Sequence, residues 1–201
     1  KETPLFIAIR HRNTEMVRLL LQNGADVRYC NWKFQNPLHV ACRMKNNEIV
    51  QWLLEYGADI HGKDISGETP LMKAIRANDL SMVQTLLEHG ADIYATNDTG
   101  KNMLHIACET KNFPIFYYLA NLAPSLLDRE DHMKRTPIFV AVNRQQKEMV
   151  EFLLQKGVNP NKKNVLNKTC LDYISEKDKE IISLFHKQKK LLNEENKPIF
   201  S

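Results

Sequence analysis

The sequence has no apolar run long enough to cross a membrane. Its longest runs are LFIAI (5–9), VRLLL (17–21) and IFYYLA (115–120), and a span needs roughly 18 residues. No succession of basic, apolar and small residues typical of a signal peptide opens the chain. With 43% hydrophobic and 26% charged residues over 201 positions, the composition predicts a globular chain that buries a core.

Cysteine is scarce and shows no metal-binding spacing. Cys30, Cys42, Cys108 and Cys170 are too few for a disulfide scaffold and form no CxxC pair. The motifs GxGxxG, GxxxxGK[ST], GxSxG and HExxH are also missing. The sequence therefore predicts no catalytic residue, no metal site and no cofactor. It favours a reducing compartment, the cytoplasm or else the nucleus.

A strong excess of charge of one sign is missing as well. The chain carries 28 Lys and Arg against 24 Asp and Glu, interspersed except for HKQKK at 186–190. A nucleic-acid-binding surface requires a concentrated basic face. Nucleic acid is therefore not the partner that the composition favours.

What the sequence does contain is one row of residues repeated six times, at a spacing of 33 residues or, once, 34. The rows are TPLFIAIR (3–10), NPLHVACR (36–43), TPLMKAIR (69–76), NMLHIACE (102–109), TPIFVAVN (136–143) and TCLDYISE (169–176). A period of this length indicates a repeat array rather than a conventional domain.

Each row predicts a pair of helices. The first begins at Thr or Asn, mostly followed by Pro, and places apolar residues three apart on one face, as at Leu38 and Ala41. The second mostly ends at a Gly that suits the left-handed position after a helix. Its expected N-caps are Asn13, Asn46, Asp79 and Asn112. Since one pair cannot bury its apolar face alone, the pairs must stack into a solenoid.

The segment GETPLMKAIRANDLSMVQTLLEHGADI (67–93) closely resembles an ankyrin repeat in its G-x-T-P-L start and its L-L-x-x-G-A-D end. The resemblance covers residues 1–186 in about six repeats. It implies an all-α ankyrin-repeat solenoid of stacked helix-turn-helix units with hairpin-like loops. In such stacks the loops and first helices line a concave groove, and the module binds proteins without catalysis.

Three rows depart from the pattern. The first lacks its loop and opens at Lys1 inside the pattern, so we expect a fragment of a longer protein with further repeats or a cap upstream. The fourth ends as YLANLAPSLLDRED (118–131), one residue longer and without the Gly, which predicts an irregular junction. The sixth lacks Pro and predicts a degenerate C-terminal cap, followed over 187–201 by a helix end and a flexible tail or linker.

The loop before the second row carries two aromatic residues. Alignment by the period sets Trp32 beside Ile65 and Phe34 beside Gly67, a turn position that favours a positive φ. We interpret Trp32, Phe34 and Ile65 as an exposed anchor for a partner, because aromatic residues are enriched at binding hot spots. The alternative is that both rings pack on neighbouring loops or on a preceding repeat.

A column of arginines marks the first three rows. Arg10, Arg43 and Arg76 are 33 residues apart, and Met44 follows Arg43. The resemblance places these positions in the groove, where guanidinium groups suit a carboxylate-bearing or phosphorylated segment. The alternative is ion pairing within the stack, with partners such as Glu48 or Asp79.

The seven residues together predict a partner site for an acidic protein segment with apolar anchors. The parent is expected to be a scaffold, adaptor or regulatory protein. The alternatives are a nucleic acid or phosphorylated ligand in the arginine and aromatic patch, or a purely structural spacer.

Two expectations rest on the family resemblance alone. His39 and His105 match the T-P-L-H column, in which the imidazole bonds between neighbouring loops. Asn161 and His61 lie where asparaginyl hydroxylases act on ankyrin-like proteins, so either is a candidate for hydroxylation.

Overall fold

The computed structural model describes residues 2–175 and 178–195, with side chains up to residue 188. This part of the chain contains eleven α-helices and no strand. The helices are α1 (Pro4–Arg10), α2 (Thr14–Gln22), α3 (Pro37–Met44), α4 (Asn47–Glu55), α5 (Pro70–Arg76), α6 (Leu80–Glu88), α7 (Met103–Thr110), α8 (Phe113–Leu122), α9 (Pro137–Asn143), α10 (Lys147–Gln155) and α11 (Lys179–Glu195). Two 3₁₀ turns span Pro124–Leu126 and Cys170–Tyr173. The predicted all-α array is confirmed.

The second helices of the first four repeats begin at the N-cap residues that the sequence predicts. The side chains of Asn13, Asn46, Asp79 and Asn112 accept the hydrogen bond of the N–H three residues on, which caps the even-numbered helices α2 to α8. Gly57 ends α4 with φ +78°, and its N–H and that of Ala58 bond the carbonyls of Leu54 and Leu53. Glycine takes this left-handed conformation without strain.

The core runs along the stack rather than around one centre. Each first helix packs against its own second helix and against the first helices of the adjacent repeats. Leu38, Ala41 and Cys42 of α3 are fully buried, as are their equivalents Leu71, Ala74 and Ile75 of α5. The alanines at Ala41 and Ala74 allow the helices to approach closely, and the buried free Cys of α3 and of α7 take the core position that Ile75 takes in α5.

Short 3₁₀ turns replace the regular structure in the two irregular rows, the fourth and the sixth. After α8 the missing glycine is replaced by Ala123, at φ −132°, and by the 3₁₀ turn Pro124–Leu126, which accommodates the extra residue. In the sixth row a single 3₁₀ turn replaces the first helix, and α11 then continues unbroken to Glu195. The tail predicted for 187–201 is thus helical up to that residue. Its remainder, 196–201, lies outside the described residues.

The first repeat exposes apolar residues whose later equivalents are buried. Ile7 of α1 and Met16 of α2 are exposed, whereas Val40 and Ile49, one repeat on, are buried. This outer face therefore has the composition of an interface between repeats. Such a face suits packing against a further repeat or a cap, which stays a prediction.

Candidate functional site

The five loops that connect the repeats share one backbone geometry. In the first loop, Asn31 N–H donates to the Gln35 carbonyl at 2.9 Å, and Phe34 N–H donates to the Asn31 carbonyl at 2.9 Å. The buried Asn31 side chain accepts from the N–H groups of Lys33 and Gln35. Asp64, Asn97, Asp131 and Asn164 repeat this pattern in the later loops. One buried Asn or Asp per loop therefore fixes each hairpin.

Backbone hydrogen bonds also join each loop to the next. Ile65 N–H donates to the Lys33 carbonyl at 2.8 Å. Three more bonds continue the ladder to the fifth loop: Asp98 to Ser66, His132 to Thr99 and Val165 to Met133. The equivalent N–H of Trp32 has no acceptor in the part of the chain that the structure describes. The loop tips therefore form one continuous surface, and its edge at Trp32 carries an N–H that no described residue accepts.

Phe34 occupies a left-handed turn position that is Gly67 and Gly100 in the next two loops and Lys134 and Asn167 in the last two, and it does not change the shape of the turn. Its φ is +55°, against +70° at Gly67 and +75° at Gly100. A Cβ built on Gly67 would lie 2.6 Å from the backbone nitrogen of Asp98 in the next loop, so this position faces the following loop. By the same geometry Phe34 faces the loop of Ile65. A side chain in the left-handed region costs about 1–2 kcal/mol, and Phe34 retains that strain.

Three large apolar side chains project from the first two loop tips. Trp32 is 68% exposed, Phe34 62% and Ile65 58%. Lys33 Nζ lies 4.7 Å from the centre of the Trp32 ring, a cation–π contact. We call Trp32, Phe34 and Ile65 the first tip patch. Trp32 and Phe34 each keep more than 60% of their surface exposed within the described chain, and their interpretation as an anchor for a partner stays a prediction.

The three arginines of the column differ in their ion pairing. Arg10 pairs with Glu2 at 2.9 Å. Arg43 is exposed and has no ion-pair partner among the described residues. The Met44 side chain is half-buried against the core, and its carbonyl accepts from Arg12 Nη2 at 2.7 Å. Of the three arginines, Arg43 is the one whose guanidinium remains available to a ligand.

Arg76 instead belongs to a charge network in the groove. It donates to Glu68 at 2.7 Å and to Glu109 at 2.9 Å. Lys73 pairs with Glu68 at 2.6 Å and with Asp64 at 2.7 Å. Arg76 is therefore ion-paired within the stack, but its partners are not Glu48 or Asp79, which the sequence suggested. Glu68 lies just before the start of α5, and Glu109 occupies the arginine position of the next repeat.

The network holds its carboxylates ionised. Burial disfavours the charged form of Glu68, but hydrogen bonds from Arg76 and Lys73 outweigh it and lower the pKa of that carboxyl. The pKa of Glu109 is lowered in the same way, against its burial, by Lys101 and Arg76. Because three cations here meet three carboxylates, the middle of the groove carries little net charge.

The two predicted bridging histidines connect successive repeats. His39 Nε2 donates to the Glu68 carbonyl at 2.9 Å, and His105 Nε2 donates to the Arg135 carbonyl at 2.8 Å. These contacts require the Nε2–H tautomer. Burial lowers the pKa of both imidazoles, against the opposing hydrogen bonds to those carbonyls, so both rings are neutral at pH 7.

A second apolar group at the loop tips was missed by the sequence reasoning. Met133 of the fourth loop is 44% exposed, and Val165 and Leu166 of the fifth are 48% and 62% exposed. We call these three residues the second tip patch. The same alignment that compared Trp32 with Ile65 could have shown it, because Val165 stands in that column.

The comparisons with known proteins agree with this geometry. A family model described as ankyrin repeats in three copies matches residues 1–64, 61–126 and 104–195. The chain belongs to the ankyrin-repeat family. Ankyrin repeats are generally protein–protein interaction modules and are not typically enzymes. No curated protein matches the chain significantly.

The described part of this ankyrin-repeat chain has neither a membrane-spanning helix nor a cluster of metal-binding side chains. None of its described helices combines the length and the apolar character that a bilayer crossing requires. Within the same residues, no three His, Cys, Asp or Glu side chains are grouped so as to hold a metal ion. Asn161 and His61 are both exposed on their loops, and their hydroxylation stays a prediction.

Proposed function

We propose that this ankyrin-repeat array binds an acidic segment of another protein, without catalysis, through the first tip patch and the adjoining groove at Arg43. The observation that carries the proposal is the exposure of three large apolar side chains on two loops that hydrogen bonds hold together. An exposed aromatic residue that also retains backbone strain contributes little to folding. A role in binding explains why such a residue stands where glycine fits better.

The preferred partner chemistry follows from the free groups around the patch. Lys33 supplies positive charge beside the Trp32 ring, and Arg43 of α3 is exposed, while the cations deeper in the groove are neutralised. An acidic segment with an apolar or aromatic anchor complements this arrangement. A scaffold or adaptor protein in the cytoplasm or nucleus is the parent that this binding mode suits.

Peptide selection on the immobilised chain tests the proposal. A library of displayed 16-residue random peptides is selected on the natural sequence and counter-selected on a folded Trp32→Ala/Arg43→Ala double variant. We expect acidic peptides with apolar anchors that lose at least tenfold in affinity on the double variant. The proposal fails if every selected peptide binds both proteins equally.

A labelled single-stranded oligonucleotide serves as the counter-probe for the nucleic-acid alternative. Binding that falls steeply between 50 and 200 mM salt would favour a phosphate ligand, since each neutralised phosphate adds to the salt dependence. We expect no such binding.

A further inference from the structure

The second tip patch stands on the same ladder of loops as the first. Val165 N–H donates to the Met133 carbonyl at 3.1 Å, so the fourth and fifth loops are joined as the first and second are. Between the two patches lies the third loop, whose tip residues Asp98 and Thr99 are polar and exposed. The loop surface therefore has two apolar ends and a polar middle.

The fifth loop, which carries two of the three residues of the second tip patch, has charged residues of positive sign only. Residues 159–168 include three lysines and no acidic residue. Lys162 is engaged with Asp128 at 2.7 Å, while Lys163 and Lys168 are exposed. The third loop instead carries Asp92 and Asp98. The fourth loop is balanced, with three acidic and three basic residues over 128–135, so the fifth loop sets the sign of the charge at the second patch. Charge complementarity thus places acidic residues of a partner beside Lys163 and Lys168 and disfavours them at the middle of the surface.

The ladder also sets the spacing between the patches. Each loop contributes two chain segments, bonded to each other and to the next loop, so equivalent points in successive loops are about 10 Å apart, two strand spacings. The second and fourth loops, which are the nearest loops of the two patches, are two repeats apart, a distance of about 20 Å. The centres of the two patches are three repeats apart, a distance of about 30 Å. An extended chain advances about 3.3 Å per residue, so six to nine residues span this distance.

We infer that the loop tips form a two-anchor surface for one extended acidic segment, whose apolar anchors are separated by six to nine residues. The first anchor binds at Trp32, Phe34 and Ile65. The second binds at Met133, Val165 and Leu166, with its acidic neighbours at Lys163 and Lys168. This inference rests on the proposed function, because it adds a second contact to the same partner.

The peptides selected above supply the probe. Their affinities are measured by fluorescence anisotropy for the natural chain, for Val165→Ser/Leu166→Ser and for Leu122→Ser. Leu122, the last residue of α8 and outside the two tip patches, is 52% exposed against 62% for Leu166 and 48% for Val165, and serves as the control. Circular dichroism verifies that all three proteins are folded.

The expected result is a loss of at least tenfold on Val165→Ser/Leu166→Ser and no change on Leu122→Ser. The selected sequences should show two apolar positions six to nine residues apart, with Asp or Glu near one of them. Lys163→Glu/Lys168→Glu should weaken the same peptides, and replacing their acidic residues with lysine should restore binding to that variant.

Two outcomes separate this inference from the proposed function. Peptides that depend on Trp32 but bind Val165→Ser/Leu166→Ser with unchanged affinity would overturn the two-anchor surface and leave the first patch standing. Peptides that are insensitive to Trp32→Ala/Arg43→Ala would overturn both.

Discussion

Replacing Phe34 with glycine should separate binding from folding. Phe34→Gly places at this turn the residue that the second and third loops use there at φ +70° and +75°. We expect the free energy of unfolding to change by no more than about 2 kcal/mol, a shift in Tm of at most about 8 °C for a chain of this length. Peptides selected on the first tip patch should lose at least tenfold in affinity.

The stability estimate is a balance of three contributions. Removing the side chain from the left-handed region stabilises by about 1–2 kcal/mol. The greater freedom of glycine in the unfolded chain costs about 0.4–1 kcal/mol. The ring is 62% exposed, so its loss uncovers at most about 80 Å², or about 2 kcal/mol at 25 cal/mol per Å². That last figure is an upper bound, because the unfolded chain also covers part of the ring.

Urea denaturation and thermal melting followed by circular dichroism give the result, with Gly67→Ala as the control at the equivalent turn. The added methyl would lie 2.6 Å from the Asp98 backbone nitrogen at a positive φ, so Gly67→Ala should destabilise by at least about 1 kcal/mol. A loss of 3 kcal/mol or more in Phe34→Gly would match the removal of a core ring, for which about 3–5 kcal/mol is usual. That result would refute the interpretation of Phe34 as an exposed binding residue.

Three further predictions concern the stack itself. Arg76→Ala should destabilise by about 1–2 kcal/mol, a value reduced for the partial solvent exposure of the arginine, while Arg43→Ala should be neutral; urea midpoints compare the two. Thr136→Val should leave stability unchanged or raise it in thermal melts, because the buried Thr136 hydroxyl has no hydrogen-bond partner among the described residues. Stability should fall as the pH drops from 7 towards 5, because His39 and His105 stay neutral when folded but bind protons below about pH 6.5 when unfolded. His105→Gln should flatten that dependence in urea titrations at each pH.

The helices could be predicted because their signals are local. A cap residue, an apolar face and a final glycine all lie within one 33-residue unit, and most units show these same signals. The turns between paired helices gave no such signal. There the structure places Arg12, Lys45, Asn78, Lys111 and Gln145 at φ between +53° and +61°. Asn78 suits this conformation by its composition, but tertiary packing imposes the same left-handed turn on four residues that no composition rule singles out.

The candidate site was only half predictable for a related reason. Exposure at the loop tips followed from the alignment of Trp32 with Ile65, since loop geometry repeats with the period. The state of Arg76 did not follow, because its partners are set by stacking. Glu68 is eight residues before it, and Glu109 is one full repeat after it. The arginines of the column do not all stay unpaired, because the next position of the same column is a glutamate that forms an ion pair with the last arginine.

The distribution of charge bears on the choice between a protein and a nucleic-acid partner. A phosphate backbone presents negative charge at every nucleotide, so a bound strand requires cations along its whole path. Here the cations at the centre of the groove, Lys73, Arg76 and Lys101, are paired with buried carboxylates. The third loop adds an exposed Asp98 at the tips. A strand crossing this surface would therefore meet positive charge only at its two ends. A peptide can match that pattern, because its sequence can place charge at one point and apolar side chains at another.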